Sequence, residues 1–311
     1  MEKTRWDILT INKFRPPHSY LDDTEQTLVL VDYSNLLYRA WFVSSKRPWV
    51  AYCKFFDMLR LCVKRSKQKD VPLKVIFAGE SKTPLRRFQL FKNYKGTRVS
   101  VEDPKFRKFR TELAELVRFL NWDILSVDGA EADDIIASIV AKYCHRCNCK
   151  VPCENCDCAS KYKTDIVIFS GDRDLQQCLA WDRTFIYRSP GLFVTKESFE
   201  EEYGFPVEKY GVYKALIGDK SDNIKGVEGF GPAKAAVAIK AGSVAEDIWD
   251  MSGHKGRKEF ELALSLVKLD SKLDIDLSGL HLGAPEFEDK VFAKQYDERI
   301  LFELKRLKEE F

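Results

Sequence analysis

No apolar run in this 311-residue chain approaches the roughly 18 residues that a membrane-spanning helix needs. Its N-terminus, Met1-Glu2-Lys3-Thr4-Arg5-Trp6-Asp7, lacks the apolar core of a secretory signal. A cytoplasmic, reducing setting with no membrane partner is therefore expected, and disulfides are not expected among the nine cysteines. Neither sign of charge predominates: Lys and Arg number 51, Asp and Glu 48, and a net +3 excludes any argument from global charge. The four histidines, His18, His145, His254 and His281, form no obvious site. The length allows about two domains and a sizeable core.

What the chain does have is acid at strand ends. Val127-Asp128-Gly129-Ala130-Glu131-Ala132-Asp133-Asp134 passes from an extended segment through a glycine turn into the apolar helix Ile135–Val140. Acids suit a first helical turn, where the macrodipole is positive, and capping alone would account for one such group. Others recur, however. The strand Thr27–Val31 ends in Asp32, Leu73–Phe77 leads to Glu80, Trp122–Val127 leads to Glu131, and Asp165–Phe169 ends in Ser170-Gly171-Asp172-Arg173-Asp174. Strands alternating with helices predict a parallel α/β sheet, and such sheets bind ligands beyond the carboxyl ends of their strands. If strand geometry continues past Phe169, Asp172 and Asp174 share a face. Further on, the helix Glu208–Ile217 delivers Gly218-Asp219-Lys220-Ser221-Asp222-Asn223.

Nine carboxylates thus become candidates: Asp32, Glu80, Glu131, Asp133, Asp134, Asp172, Asp174, Asp219 and Asp222. Gathered together they would raise one another's pKa values unless cations neutralise them. All-oxygen donors suit Mg²⁺ or Mn²⁺, and two such ions support phosphodiester hydrolysis. Between Lys82 and Arg110 lies a basic run with interleaved aromatics, including Arg86, Arg87, Tyr94, Lys95 and Arg98, a composition suited to single-stranded nucleic acid. Gly226-Val227-Glu228-Gly229-Phe230-Gly231 opens the helix Ala233–Ala241 among Lys220, Lys225 and Lys234. Such a turn presents backbone N–H groups, Gly229 and Gly231 included, to a phosphate.

Leu30-Val31-Asp32, Tyr94-Lys95-Gly96-Thr97-Arg98, Gly129–Asp134, Ser170–Leu175, Gly218–Asn223 and Gly226–Gly231 follow in one order over roughly residues 27–277. Together they resemble the 5′-nuclease superfamily: flap endonucleases and 5′–3′ exonucleases, including phage-type stand-alone enzymes and the 5′-nuclease domain of bacterial DNA polymerase I. The resemblance implies a PIN-like fold with a mostly parallel sheet, a basic arch (about 81–111) and a helix–two-turn–helix (about 208–241). The corresponding division is an extension over 1–26, a nuclease core over 27–188 and a helical DNA-binding region over 189–311. It implies a monomeric, metal-dependent nuclease cutting DNA, RNA-primed strands included, at 5′ ends and flaps in replication or repair, with replication proteins as partners. By motif, Asp32, Glu80, Glu131, Asp133 and Asp134 would serve one metal, and Asp172, Asp174, Asp219 and Asp222 the second. Lys95 and Arg98 would contact the scissile phosphate, Tyr94 an unpaired nucleotide, and the glycine hairpin a duplex backbone, often with K⁺. Two rivals are a PIN-like ribonuclease and a junction-binding protein without activity.

Two departures stand out. The family usually has Asp where this chain has Glu80, fifteen residues before Lys95. The added methylene shifts a ligand for an ion that tolerates displacement poorly, so activity is expected to survive with an altered metal preference. The second is an insertion over 144–158, in which Cys144, Cys147, Cys149 and Cys153, Cys156, Cys158 repeat C-x2-C-x-C nine residues apart. That spacing predicts a structural Zn²⁺ knuckle, bracing the far end of the helix whose near end carries Glu131. Cys53, Cys62 and Cys178 lie in apolar contexts and read as core.

Overall fold

The computed structural model describes residues 23–83, 85–98, 103–144, 163–188, 191–241 and 245–311, with the backbone alone over 245–255. Six strands form one sheet in the order β3-β2-β1-β4-β5-β6. These are β1 (Gln26–Asp32), β2 (Leu73–Ala78), β3 (Ile124–Leu125), β4 (Thr164–Phe169), β5 (Thr184–Arg188) and β6 (Leu192–Val194). The first five run parallel and β6 closes the edge antiparallel to β5. β1 is flanked by β2 on one side and β4 on the other, Val31 lying opposite both Phe77 and Phe169. The chain first extends the sheet one way from β1 and then the other, so the C-terminal ends of β1 and β4 form its topological switch point.

Alternation along the strands explains the two cores. Val29, Val31, Val75, Phe77, Val167 and Phe169 face α1 (Tyr33–Val43), α2 (Pro48–Ser66), α4 (Pro104–Phe119) and the last helix α11 (Glu298–Lys308). Leu28, Leu30, Ile76, Ala78, Ile166 and Ile168 face α5 (Ala132–Tyr143) and the helical part beyond it. That part contains α6 (Lys196–Tyr203), α7 (Tyr210–Ile217), α8 (Pro232–Lys240) and α9 (Ala245–Val267), whereas α10 (Asp289–Gln295) packs through Phe292 beside α11 on the opposite core; the short α3 is Arg86–Leu90.

Three expectations need correction. β3 is two residues rather than Trp122–Val127, because an edge strand pairing only Ile124 and Leu125 with β2 leaves the rest without a ladder. The helix expected over 208–217 starts as a 3-10 turn at Val207–Lys209 and becomes α7 at Tyr210. The strand β4 stops at Phe169, so Asp172 and Asp174 are not brought together by pleat. A turn does so, with the Asp174 N–H donating to Asp172 Oδ1 at 2.8 Å before the 3-10 segment Asp174–Ala180. Two elements had no sequence signal strong enough to place them: β6, and the hairpin of β7 (Gly218–Asp219) with β8 (Ile224–Lys225). No helix among the described residues is long and apolar enough to cross a membrane.

Candidate active site

Asp32 ends β1 and caps α1, accepting from the Asn35 N–H at 3.0 Å. Ser170, at the end of neighbouring β4, donates its hydroxyl to Asp32 Oδ2 at 2.9 Å and accepts from the Asp172 N–H at 3.0 Å. The Gly171 N–H reaches Asn35 Oδ1 at 3.0 Å, which ties the loop after β4 to α1. These bonds fix where Asp32 and Asp172 point, and neither Ser170 nor Asn35 stood out in the sequence, because single hydroxyl and amide groups carry no periodic signal.

Burial pushes the Asp32 carboxyl up to about 6 despite its bonds from Asn35 and Ser170, with the charges of Asp172 and Glu80 adding to the rise. Asp133 is raised well above the ordinary carboxylate range, first by burial and then by Asp172, Asp32, Asp174 and Glu131. Asp174 rises to about 6 through burial, Lys214 opposing and Asp172 reinforcing. Glu80 rises through burial as well, with Lys95 opposing and Glu131 reinforcing. These side chains come from β1, the β2 end, α5 and the β4 loop, and share one cluster. Its negative charge exceeds what the nearby cations offset, and its donors are oxygens alone. That combination fits hard divalent cations.

The remaining acids are already partnered. Glu131 accepts from Lys95 Nζ, from Arg87 Nη1 and, at 2.9 Å, from the Tyr94 hydroxyl. Asp222 accepts from Arg98 Nη2 at 2.5 Å and from Tyr94 at 3.0 Å. Asp219 accepts from the Ser221 N–H at 2.8 Å and its hydroxyl at 2.6 Å, and from Lys214 Nζ at 2.5 Å. Burial works against ionisation of Asp219, yet Lys214 and Ser221 hold its pKa below the ordinary value. Lys214 also pairs with Asp174 at 2.7 Å. This buried lysine of α7 is the functional residue most clearly missed. Its only sequence trace is a lone cation in the apolar stretch Tyr210–Ile217, five residues before Asp219.

Three sequence assignments change place. Asp134 turns from the cluster: both its oxygens engage the Arg87 guanidinium, at 2.7 and 2.8 Å, and Oδ1 accepts from the Asp270 N–H at 2.9 Å. As the third residue of α5 it closes a capping box with Glu131. Arg87, expected to contact DNA, is buried against those acids and donates to the carbonyls of Leu266 and Lys268. Tyr94, expected beside an unpaired nucleotide, is 3% exposed, its ring packed on Phe88 and its hydroxyl spent on Glu131 and Asp222. Its one O–H proton is shared between two acids that Lys95, Arg87 and Arg98 already neutralise, so the phenol adds a buried donor to a pair of partnered carboxylates.

The outer basic residues lie nearer solvent. Arg86 pairs with Asp270 at 3.1 Å and Lys225 with Glu259 at 3.1 Å; Lys220 is exposed and Lys234 sits 4.6 Å over the Phe230 ring. Gly229 adopts φ +82° and Gly231 caps α8, so the hairpin opens a helix as its sequence predicts. Of the insertion only Cys144 is described. It is buried, donates to the Thr164 carbonyl at 3.7 Å and accepts from Thr184 at 3.7 Å; burial pushes its thiol up to about 12. Cys147, Cys149, Cys153, Cys156 and Cys158 lie outside the described residues.

A family model described as 5′-3′ exonuclease, N-terminal resolvase-like domain, matches residues 27–204. A 5′-3′ exonuclease of Aquifex aeolicus is 29% identical over 266 residues, covering 81% of this chain and 85% of that protein. The thermostable DNA polymerase I of Thermus thermophilus is 28% identical over 270 residues, but this chain spans only 30% of it. In three dimensions the chain resembles a bacteriophage T5 flap endonuclease in a pseudo-enzyme-product complex with DNA and metal ions, with a TM-score of 0.62 at 19% identity, covering 92% of this chain and 99% of that one. With the acid-ended parallel strands and the match across 27–204, the chain belongs to the 5′–3′ exonuclease family of nucleases.

Proposed function

We propose that this protein is a divalent-metal-dependent, structure-specific 5′ nuclease that hydrolyses DNA phosphodiesters at 5′ ends and single-strand/duplex junctions. The observation that carries the reading is the cluster of Asp32, Glu80, Asp133 and Asp174, whose carboxyls are pushed upward chiefly by burial with neighbouring acids, Asp172 among them, adding to the rise at one switch point. Asp32, Glu80, Glu131 and Asp133 would hold one Mg²⁺ or Mn²⁺, and Asp172, Asp174, Asp219 and Asp222 a second. When bound, the ions lower the pKa of water and neutralise charge on the leaving oxygen.

The chain's own groups do the positioning. Lys95 and Arg98 stand at the cluster rim on Glu131 and Asp222, where either can donate to a phosphate oxygen. Lys95 adopts φ +53°, and its N–H donates to the Asp222 carbonyl at 2.9 Å, which docks the arch base onto the loop carrying Asp219 and Asp222. Lys214 keeps Asp174 and Asp219 aligned from behind. The Gly226–Gly231 turn and Lys220 would grip the duplex backbone, and its carbonyls would take the family's K⁺. We place the enzyme in the cytoplasm, in replication or repair, with zinc carried by the cysteines of the 144–158 insertion.

The test is incubation of a 5′-labelled flap DNA and its RNA counterpart with Mg²⁺, Mn²⁺ or EDTA. Metal-dependent cutting of the DNA near the junction is expected. Cutting of RNA alone would make the protein a PIN-like ribonuclease, and no cutting of either would leave a junction binder.

A further inference from the structure

Two residues at the rim of the carboxylates hold a backbone conformation that L side chains seldom adopt. Among the described residues, seven that are not glycine have positive φ. Ser45, Lys46, Asp70 and Asn121 follow α1, α2 and α4, and Arg183 precedes β5. The other two, Lys95 at φ +53° and Asn223 at φ +58°, come from distant segments that meet beside Glu131 and Asp222. Asparagine tolerates the left-handed region, whereas for lysine the surroundings have to impose it.

The hydrogen bonds show what imposes it on Lys95. The chain turns over Asn93-Tyr94-Lys95-Gly96, closed by the Gly96 N–H donating to the Asn93 carbonyl at 3.0 Å. The loop between β7 and β8 grips this turn at two points. The Asn223 side-chain amide donates to the same Asn93 carbonyl at 2.9 Å, and the Asp222 carbonyl accepts from the Lys95 N–H at 2.9 Å. Those two bonds fix the peptide groups on either side of Tyr94, and with them the direction in which the Lys95 side chain leaves the backbone. Its Nζ then meets Glu131 at the cluster rim. Asn223 is itself held by a turn, its N–H donating to the Lys220 carbonyl at 3.3 Å. Of the two grips, the one from Asp222 is made by backbone and no substitution removes it; the one from Asn223 is made by a side chain.

We propose that Asn223 is a positioning residue for cleavage, which acts through Lys95 by holding the Asn93–Gly96 turn in the form that aims the ammonium at the phosphate. The inference rests on the nuclease reading and deepens it, adding a residue that does not touch the substrate. Two features of asparagine are used at once. Its backbone accepts the left-handed turn, and its short amide reaches the Asn93 carbonyl from there. Because that amide is committed to Asn93, the role differs from that of Lys220 and Lys225 on either side in the chain, whose ammonium groups are exposed.

The test is single-turnover cleavage of a 5′-labelled flap DNA in Mg²⁺ by the wild type, N223G, K95A and the N223G/K95A double variant. Glycine keeps the left-handed backbone and removes only the amide. N223G should lower the saturating rate about ten-fold, the scale of a slightly misplaced group, while the half-saturating protein concentration stays within about two-fold, as for a loss felt only in the transition state. K95A should cost about a hundred-fold. In the K95A background N223G should cost nothing further, because the group through which it acts has gone. Thermal melting should show the fold retained in every variant. Additive losses in the double variant would make Asn223 independent of Lys95. A raised half-saturating concentration at an unchanged rate would make it a duplex contact, and no change in either would leave it without a role; each of these results overturns the proposal. If the wild type cuts nothing, the nuclease reading fails, and amide hydrogen exchange still decides the placement. Peptides spanning 92–98 should exchange faster in N223G than in the wild type, and equal rates would show that Asn223 does not hold the turn.

Discussion

Arg87 and Lys214 show what a buried cation does in a site made of acids. Arg87 holds Glu131 and Asp134 in place while itself enclosed, so replacing it with an apolar side chain leaves buried Asp134 without a cation and Glu131 with Lys95 alone. For Arg87→Met we expect a loss of about 3–5 kcal/mol, read as a lower urea midpoint with unchanged slope. A loss below about 1 kcal/mol, the range of an exposed pair, would show that the acids find other partners. Lys214→Met should behave differently, because its partners Asp174 and Asp219 belong to the proposed second metal group. Its melting temperature should fall in EDTA and recover more in Mg²⁺ than the wild type gains, since a divalent ion can replace the lost charge. Equal Mg²⁺ gains in the two proteins would place Lys214 outside the metal group. Tyr94→Phe removes the hydroxyl shared by Glu131 and Asp222 with no change in volume. Its expected cost is about 1–3 kcal/mol for leaving those acids short of a donor, measured by thermal unfolding.

At the scale of elements, α5 and the hairpin joining β7 to β8 carry the site. The first turn of α5 supplies Glu131 and Asp133 to the cluster and Asp134 to Arg87, so one helix start serves chemistry and packing together. Its far end, Cys144, packs near the start of β4 and β5, at the opposite pole of the sheet from Asp32. The hairpin depends on two glycines for close approach. A Cβ on Gly226 would lie 2.4 Å from the Leu216 carbonyl oxygen, and one on Gly218, at φ +73°, 2.3 Å from the Gly226 nitrogen. Gly231 has open space around its missing Cβ. Gly226→Ala should therefore lower both stability and duplex affinity, whereas Gly231→Ala should leave the melting temperature nearly unchanged. Similar melting shifts for the two variants would contradict the close-approach argument.

For the whole molecule the decisive quantity is charge at the switch point. Asp32 and Asp174 titrate near 6 and Asp133 is raised well above its ordinary value, whereas unfolded carboxyls titrate near 4. A folded pKa above the unfolded one means that the folded state holds the proton more tightly. The stability these groups contribute is therefore complete below about pH 4 and is lost as pH rises through about 6. A bound divalent ion reverses the loss. The stabilisation by millimolar Mg²⁺ relative to EDTA should grow between pH 5 and pH 7, reaching about 3 kcal/mol if Mg²⁺ stands a hundred-fold above its Kd. Differential scanning calorimetry at several pH values checks this, and a pH-independent Mg²⁺ effect would count against the carboxylates as its origin.

The sequence by itself determined the parallel sheet, the acids at its strand ends and the glycine-opened helix. Each is written in a local pattern: apolar runs such as Leu28–Val31, a polar residue at the run's end, or glycines before a helix. Only the tertiary structure decided which carboxylate faces which partner. Arg87 meets Asp134 from 47 residues away and Tyr94 meets Asp222 from 128, and no periodicity records such meetings. Asp172 and Asp174 were read from the right residues and joined by a turn where a pleat was expected. Tyr94 and Arg87 look like nucleic-acid contacts because aromatic and basic residues are interleaved there. The fold turns them inward because buried acids need donors more than an open surface does. Lys214 was invisible for the converse reason: a lysine in an apolar helix has no meaning until Asp174 and Asp219 arrive on either side of it.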